Sequence, residues 1–337
     1  MGTDGGEMGD KIGGNMRGVT RNVTRDPGLK AERPKRLCTQ APAAGSAALS
    51  VAPELDRLSA LEIATLMNRQ DARVLRAVRR ALPAIAEAIE VVQQRLARGG
   101  RLIYVGSGTS GRIGALDAAE CPPTFGSDAA TIQWMMAGGE QALVKASESN
   151  EDSAELGASD MARRRPGRKD VVVGLSASGQ TPYTVAALQY AARKGAATIA
   201  VVCRSGSELA QVCGLAIAAE VGPEVLDGST RLKAGTAEKM ICNMLTTGAM
   251  ARLGHVYGNL MVDLQMKNAK LMERGIAIVQ RVARVERAVA VKALEAAEMQ
   301  LPVALVMLCA KATRAEAVRR LRRARGNIRQ AMESATL

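Results

Sequence analysis

The sequence predicts an α/β fold in which a parallel sheet lies between helices, followed by a small helical domain at the carboxyl end. Two observations lead there. Five short apolar runs, rich in Val, Ile and Leu, begin near residues 101, 131, 170, 197 and 215 and alternate with segments of helical periodicity. Near-continuous apolar strands of this kind belong to parallel sheets covered on both faces. The chain has 337 residues, 47% of them hydrophobic, which is enough for one large α/β domain and a smaller satellite. The expected organisation is a flexible extension over 1–52, a sheet-containing domain with flanking helices over 53–284, and a small three-helix domain over 285–337.

Each element has its own signal. Residues 1–52 are rich in Gly, Pro, Arg and Ala and lack periodicity, so they read as an extension. Ser59 followed by Glu62 is a helix-starting pair, apolar residues then recur at helical spacing, and Gly99-Gly100 is a stop. RLIYVGSG leads to a helix from about Thr109, and TIQWMMAG to helices reaching about Arg164. DVVVGLSASG leads to TPYTVAALQYAARKG, ATIAVVCR to SELAQVC, and LAIAAEVG completes the sheet. Right-handed crossovers would gather the strand-to-helix loops at one end of the sheet, where open sheets bind ligands. Long helices are expected over KAGTAEKMICNMLTTGAMARLG and NLMVDLQMKNAKLMERGIAIVQRVARV.

Composition removes several chemistries. A single histidine, His255, excludes His-dependent triads and His-rich metal sites, since both need imidazole. A general acid or base is then expected to be a carboxylate. The formal net charge of +13 is concentrated at the ends: residues 1–50 hold 8 Lys/Arg against 5 Asp/Glu, and residues 271–337 hold 13 against 6. Aromatics make up only 2% of the chain, leaving little to stack on bases, so no nucleic-acid partner is expected. Cys38, Cys121, Cys203, Cys213, Cys242 and Cys309 show no CxxC spacing and read as reduced thiols of a cytoplasmic protein. No run reaches the roughly 18 apolar residues of a membrane helix, and the amino terminus lacks the apolar core of an export signal. The expectation is a soluble protein without a membrane partner.

Two strand ends open into loops of one chemical character, GSGTSG at 106–111 and SASGQTP at 176–182. Each joins small hydroxyl residues to glycine just before a helix, so backbone N–H groups, hydroxyls and the helix dipole can converge on an anion. Helix capping explains either loop alone equally well. Two at the same end of the sheet suit a phosphate better. Neither is a Walker loop, because no Lys-Ser/Thr follows, and GSGTSG lacks the spacing of a dinucleotide fingerprint. In DAAECPPTFG (117–126), Pro122 and Pro123 should break the helix and leave Glu120 at its end, against the unfavourable pole of the dipole. By composition alone Glu120 reads as a solvated residue, as do Glu148, Glu151 and Asp152 of SESNEDSAE.

Taken together these segments resemble the N-acetylmuramic acid 6-phosphate etherases, a family built on the sugar isomerase (SIS) domain. The resemblance runs from about Leu55 to Met332. It rests on LIYVGSGTSGRIGALDAAECPPTFG (102–126), VVVGLSASGQTPY (171–183) and VGPEVLDGSTRLKAGTAEKMICNMLTTGAMARLGHVYGNLMVDLQMKNAKL (221–271). It implies a flavodoxin-like SIS domain and a cytoplasmic lyase of amino-sugar recycling that removes D-lactate from N-acetylmuramic acid 6-phosphate. Position by position, it implies a proton donor at Glu120 and a second catalytic glutamate at Glu151. Phosphate-binding groups fall on Ser107, Gly108, Thr109 and Ser110, and on Ser176, Ser178 and Thr181. Ser107 stands where the family usually has Ala, Ser149-Asn150 where Gly-Ala precedes Glu151, and Gln180 where Arg is usual.

The implied chemistry suits these residues. The open-chain sugar is an aldehyde, which acidifies the C2 proton, and the lactyl ether at C3 lies β to that carbonyl. One carboxylate takes the C2 proton, one carboxylic acid protonates the departing oxygen, and water adds at C3. No metal or organic cofactor is required if hydroxyls and backbone donors hold the enolate. The expected partners are the sugar phosphate and a second copy of the chain in a homodimer. Two alternatives remain open: an SIS aldose–ketose isomerase, and a non-catalytic sugar-phosphate sensor that regulates a partner protein.

Overall fold

The computed structural model describes residues 54–145, 150–264, 266 and 268–333. The extension over 1–52, and Glu148 and Ser149 of the acidic segment, lie outside the described residues. The first long helix, α1 (Ala60–Ala97), starts as its sequence requires. Ser59 Oγ accepts from the Glu62 N–H, and the Glu62 carboxylate accepts from the Ser59 N–H at 2.9 Å, a reciprocal capping box.

The five apolar runs form β1 (Leu102–Gly106), β2 (Ile132–Met136), β3 (Val171–Ser176), β4 (Ala197–Val202) and β5 (Leu215–Ala218). They pair in parallel in the order β2-β1-β3-β4-β5, with Leu102 opposite both Ile132 and Val171. Between them run α2 (Gly108–Phe125), α3 (Ala154–Arg164), α4 (Pro182–Arg193) and α5 (Glu208–Val212), and α6 (Lys233–Leu253) follows the sheet. Alternate strand residues face opposite sides. Leu102, Tyr104, Val171, Val173, Ile199 and Ile217 pack against α1, α2 and α6. Ile103, Val105, Val172, Ala200 and Val202 pack against α3, α4 and α5. The flavodoxin-like order is therefore present. It places the reversal of strand order between β1 and β3, so the loops after these two strands flank the crevice in which such sheets hold ligands.

Three stretches differ from the sequence reading. Pro122 and Pro123 do not break α2, which runs to Phe125 and closes at Gly126 in the left-handed region, φ 64°. The proline pair withdraws only two backbone donors, both near the helix end. The Gly126 N–H still donates to the Pro122 carbonyl at 3.0 Å, and the Thr124 hydroxyl donates to the Glu120 carbonyl at 2.6 Å. Glu120 thus sits inside a continuous helix. Where helix is expected over 259–268, the chain instead opens with the second strand of a short hairpin, β6 (Val256–Tyr257) with β7 (Leu260–Met261), turned by Gly258 at φ 58°. Helix resumes only where the Asn268 side chain caps α7 (Ala269–Ala283).

Beyond residue 285 the described residues form four helices where three are expected: α8 (Arg287–Ala296), α9 (Leu301–Cys309), α10 (Arg314–Arg323) and α11 (Ile328–Glu333). Pro302 at the start of α9 and Asn327 before α11 provide the extra boundaries. Their apolar cluster also takes in Val262, Leu264, Ile276 and Val279, so the packing unit includes the hairpin exit and α7. Among the described residues no helix is long and apolar enough to cross a membrane.

Candidate functional site

The turn from β1 into α2 is tight because its glycines permit it. A side chain at Gly106 would come within 2.8 Å of the Gly111 nitrogen, and one at Gly111 within 2.7 Å of Met136 Cβ. This brings Ser107, Gly108, Thr109 and Ser110 to the head of α2 at the C-terminal end of β1. After β3 the chain folds back on itself. Ser176 Oγ lies 3.0 Å from Thr181 Oγ1 and 3.4 Å from Ser178 Oγ, and accepts from the Gly179 N–H at 3.0 Å. Gly179 holds φ 67°, and a Cβ there would fall 2.1 Å from Ser207 Oγ. All seven expected phosphate-binding residues thus lie where β1 passes into α2 and β3 into α4, and the Ser178 and Thr181 hydroxyls both contact that of Ser176.

The capping explanation for these hydroxyls can be tested against the rest of the molecule. Ser59, Ser153, Asn268, Thr313 and Asn327 each precede a helix and each accept from a backbone N–H of its first turn. Ser107, Thr181 and Ser207 stand at the same position before α2, α4 and α5 and make no side-chain cap. All three follow a central strand at the C-terminal end of the sheet. The oxygens of Ser107 and Ser207 are buried without a hydrogen-bond partner among the described residues. Buried hydroxyls are normally bonded; among the described residues Thr184 in the first turn of α4 is also orphaned, and Ser127 before β2 is the exception at the other end, so the orphans concentrate where a ligand-facing surface is expected.

The head of α6 forms a further wall. A Cβ on Gly235 would lie 3.4 Å from Thr109 Cγ2, so α6 begins directly beside the first loop. Its own first N–H groups are taken: Lys233 and Ala234 donate to the Glu224 carboxylate at 3.2 and 2.9 Å. One turn on, Glu238 is 1% exposed and accepts from the Ser110 hydroxyl at 2.9 Å. Burial pushes its carboxyl up to about 8, opposed only by that hydrogen bond. Sequence reasoning missed Glu238. The signal was its spacing: Ala234, Gly235, Ile241 and Cys242 lie three and four residues away on the same buried face of α6.

A second buried carboxylate ties the elements together. Asp117 accepts from Tyr104 Oη at 2.9 Å, Asn243 Nδ2 at 2.7 Å and Thr246 Oγ1 at 3.3 Å, joining β1, α2 and α6. Burial raises its pKa against the pull of those three bonds.

The two expected catalytic glutamates stand apart in character. The Glu151 carbonyl accepts from the Tyr183 N–H at 3.0 Å, which pins Glu151 beside the head of α4, two residues from Thr181. Glu120 is exposed on α2, eleven residues beyond Thr109, which is roughly 16 Å along an unbroken helix. Within one chain, Glu151 is therefore beside a hydroxyl loop and Glu120 is not. A cavity of about 660 Å³ beside β2, lined by Trp134, Arg163 and Arg164, includes none of the loop residues.

Comparison with known proteins places these features in context. Residues 84–192 match the N-terminal SIS domain of glucokinase regulatory protein, 155–248 the SIS domain, and 258–297 the C-terminal lid domain of glucokinase regulatory protein. An N-acetylmuramic acid 6-phosphate etherase of Symbiobacterium thermophilum is 53% identical over 245 residues, 72% of this chain and 81% of that protein. Proteins of the same name are 50% identical in Mycolicibacterium smegmatis, over 83% of this chain and 94% of that one, and 44% identical in Clostridium beijerinckii, over 83% and 92%.

Proposed function

The chain belongs to the N-acetylmuramic acid 6-phosphate etherase family, and from that premise we propose how its residues divide the reaction. It is a lyase that splits the D-lactyl ether of N-acetylmuramic acid 6-phosphate to N-acetylglucosamine 6-phosphate and D-lactate. The phosphate sits between the loops after β1 and β3, where Ser107, Thr109, Ser110, Ser176, Ser178 and Thr181 and the first N–H groups of α2 meet it. The observation that carries this reading is the set of withheld caps at Ser107 and Thr181.

Glu151 is the base and Glu120 the acid. Glu151 takes the C2 proton of the open-chain aldehyde. The electron pair moves into the C2–C3 bond as the C3–O bond breaks, and Glu120 gives its proton to the lactyl oxygen. Glu120, now ionised, then draws a proton from water as the oxygen adds to C3, and C2 regains its proton from Glu151.

Phosphate and C3 of a hexose phosphate are only about 6 Å apart by bond geometry. A Glu120 side chain in the same chain cannot serve a sugar whose phosphate is at Thr109. We therefore assign Glu120 to the site of a second subunit, in a cytoplasmic homodimer. In support, Leu116, Ala119 and Glu120 form an exposed stripe on α2, with Leu116 52% exposed. An apolar groove lined by Leu82, Ile89, Met244 and Gly248 lies on α1 and α6, the helices of the same face of the sheet.

The test mixes a Glu120→Gln protein with a Ser178→Ala, Thr181→Ala protein, allows subunits to exchange, and measures D-lactate release. Each parent should be nearly inactive and the mixture active. An inactive mixture in which heterodimers are present would place a complete site in each chain, and no lactate from the wild type would remove the etherase reading.

A further inference from the structure

The reaction above uses Glu120 and Glu151 and leaves Glu238 without a task. A carboxyl group 1% exposed, with a single hydroxyl as its partner among the described residues, is a costly feature to keep beside an anion-binding loop. The groups that face it offer no relief. From α2, among the described residues, Ser110 supplies its one hydrogen bond. From the end of β4 there is the Cys203 thiol, and from the next turn of α6 the Cys242 thiol; burial chiefly, with Glu238 among the nearby carboxylates, raises both. The lysines nearest in sequence are engaged elsewhere: Lys233 donates to Gln70 Oε1 at 3.1 Å and to the Pro223 carbonyl, and Lys239 acts on Asp117.

A serine hydroxyl has one hydrogen to give and two lone pairs. If Glu238 is ionised, Ser110 spends its hydrogen on the carboxylate and turns lone pairs toward the phosphate. If Glu238 is neutral, the bond reverses: the carboxyl O–H donates to Ser110 Oγ, and the Ser110 hydrogen is free for the phosphate. We propose that Glu238 is a positioning residue that acts as a neutral acid, donating to Ser110 so that Ser110 can donate to the substrate phosphate. Sugar-phosphate binding is then coupled to one proton on Glu238. The inference rests on the assignment of Ser110 to the phosphate site.

The linkage has a definite sign. Without ligand, burial pushes the carboxyl up to about 8. Ser110 can donate to a bound phosphate only while Glu238 keeps its proton, so binding above that pH draws a proton in through this hydrogen-bond link, and affinity falls by up to about tenfold per pH unit. The phosphate's own second ionisation is near 6, so it is complete over this range.

The experiment is calorimetric titration of the full-length protein with N-acetylglucosamine 6-phosphate at pH 7 and pH 9, each in two buffers of different ionisation enthalpy. In the wild type, proton uptake should be small at pH 7 and approach one per site at pH 9, with Kd rising severalfold or more between them. Glu238→Gln keeps a donor to Ser110 but has no proton to gain, so its uptake at pH 9 should vanish and its Kd should stay flat with pH. Ser110→Ala cuts the link and should also abolish the uptake, although Glu238 is still present. Absence of uptake in the wild type, or the same uptake in either variant, overturns the proposal. If the wild type binds the sugar phosphate at neither pH, the assignment of the loops fails and the inference falls with it. If the glutamine variant does not fold, the wild-type and Ser110→Ala titrations decide the matter.

Discussion

At the N-terminal ends of the central strands the polar groups close on one another. Asp170, just before β3, accepts from the Arg101 N–H at 2.9 Å, from Arg101 Nη2 at 2.8 Å and from the Gly167 N–H at 3.0 Å. Arg95 of α1 donates to the Arg168 carbonyl, so the helix entering the sheet is tied to the loop beside it. At the C-terminal ends of the same strands, Ser107 and Ser207 keep buried oxygens without partners among the described residues, as Ser127 before the edge strand β2 also does, while Ser176 contacts Ser178 and Thr181 and accepts from the Gly179 N–H. The strands are alike in apolar content, so the contrast lies wholly in the residues at their two ends. One end is arranged for stability. The other holds hydroxyl groups in place at the expense of local bonding, as expected where a ligand supplies the missing partners.

The largest expected effect falls on the acid assigned to the ligand-binding end of a second subunit. Glu120→Gln removes the acid that protonates the leaving lactate and should cut lactate release by about a thousandfold, within the range for general acid catalysis. The base is untouched, so exchange of the C2 proton of the sugar with deuterated solvent should persist, as read by NMR. Normal lactate release in this variant would remove Glu120 from the reaction. The next effect belongs to the N-terminal ends of the strands. Burial works against the Asp170 charge, but the Arg101 and Gly167 hydrogen bonds outweigh it and hold the carboxyl below its ordinary range. The stability it contributes is therefore complete above about pH 4 and is lost as pH falls through the lower, folded-state value. Asp170→Asn should destabilise by about 2–4 kcal/mol at pH 7 in urea unfolding, with KM unchanged and the acid limb of the stability profile flattened. A loss of substrate affinity without a loss of stability would contradict the division between the ends.

Much of this was legible from residues 101–222 alone. Strands such as VVVGLS are apolar throughout, so β1 to β5 needed no knowledge of tertiary context, and two hydroxyl-glycine loops after them already indicated an anion. The Ser59 and Glu62 pair likewise located the start of α1. What local rules missed was decided by neighbours. The Pro122–Pro123 pair signals a break, yet these residues fit the last turns of a helix that packs along α6. The 259–268 segment has helical apolar spacing, but Gly258 turns it into a hairpin whose exit, Val262 and Leu264, enters the core of the C-terminal helices. Glu238 looks solvated as a residue type, and only the packing of α6 against α2 buries it beside Ser110.

The smallest effect tests whether a withheld cap differs from a made one. Ser59 caps α1 through its side chain, and Ser59→Ala should cost about 1 kcal/mol of unfolding free energy. Ser207 occupies the same position before α5, is 1% exposed, and its oxygen bonds nothing among the described residues. It sits against Gly179, where no side chain would fit. Ser207→Ala takes away a buried hydroxyl that returns nothing for its desolvation and leaves the apolar Cβ in place. Since an unmade hydrogen bond costs roughly 1–3 kcal/mol, the change should be neutral or stabilising by up to about 1 kcal/mol, opposite in sign to Ser59→Ala. Urea unfolding of the two variants beside the wild type reads both values. If Ser207→Ala loses as much as Ser59→Ala, the Ser207 hydroxyl is bonded within the free protein, and the C-terminal end of the sheet is as fully satisfied as the other.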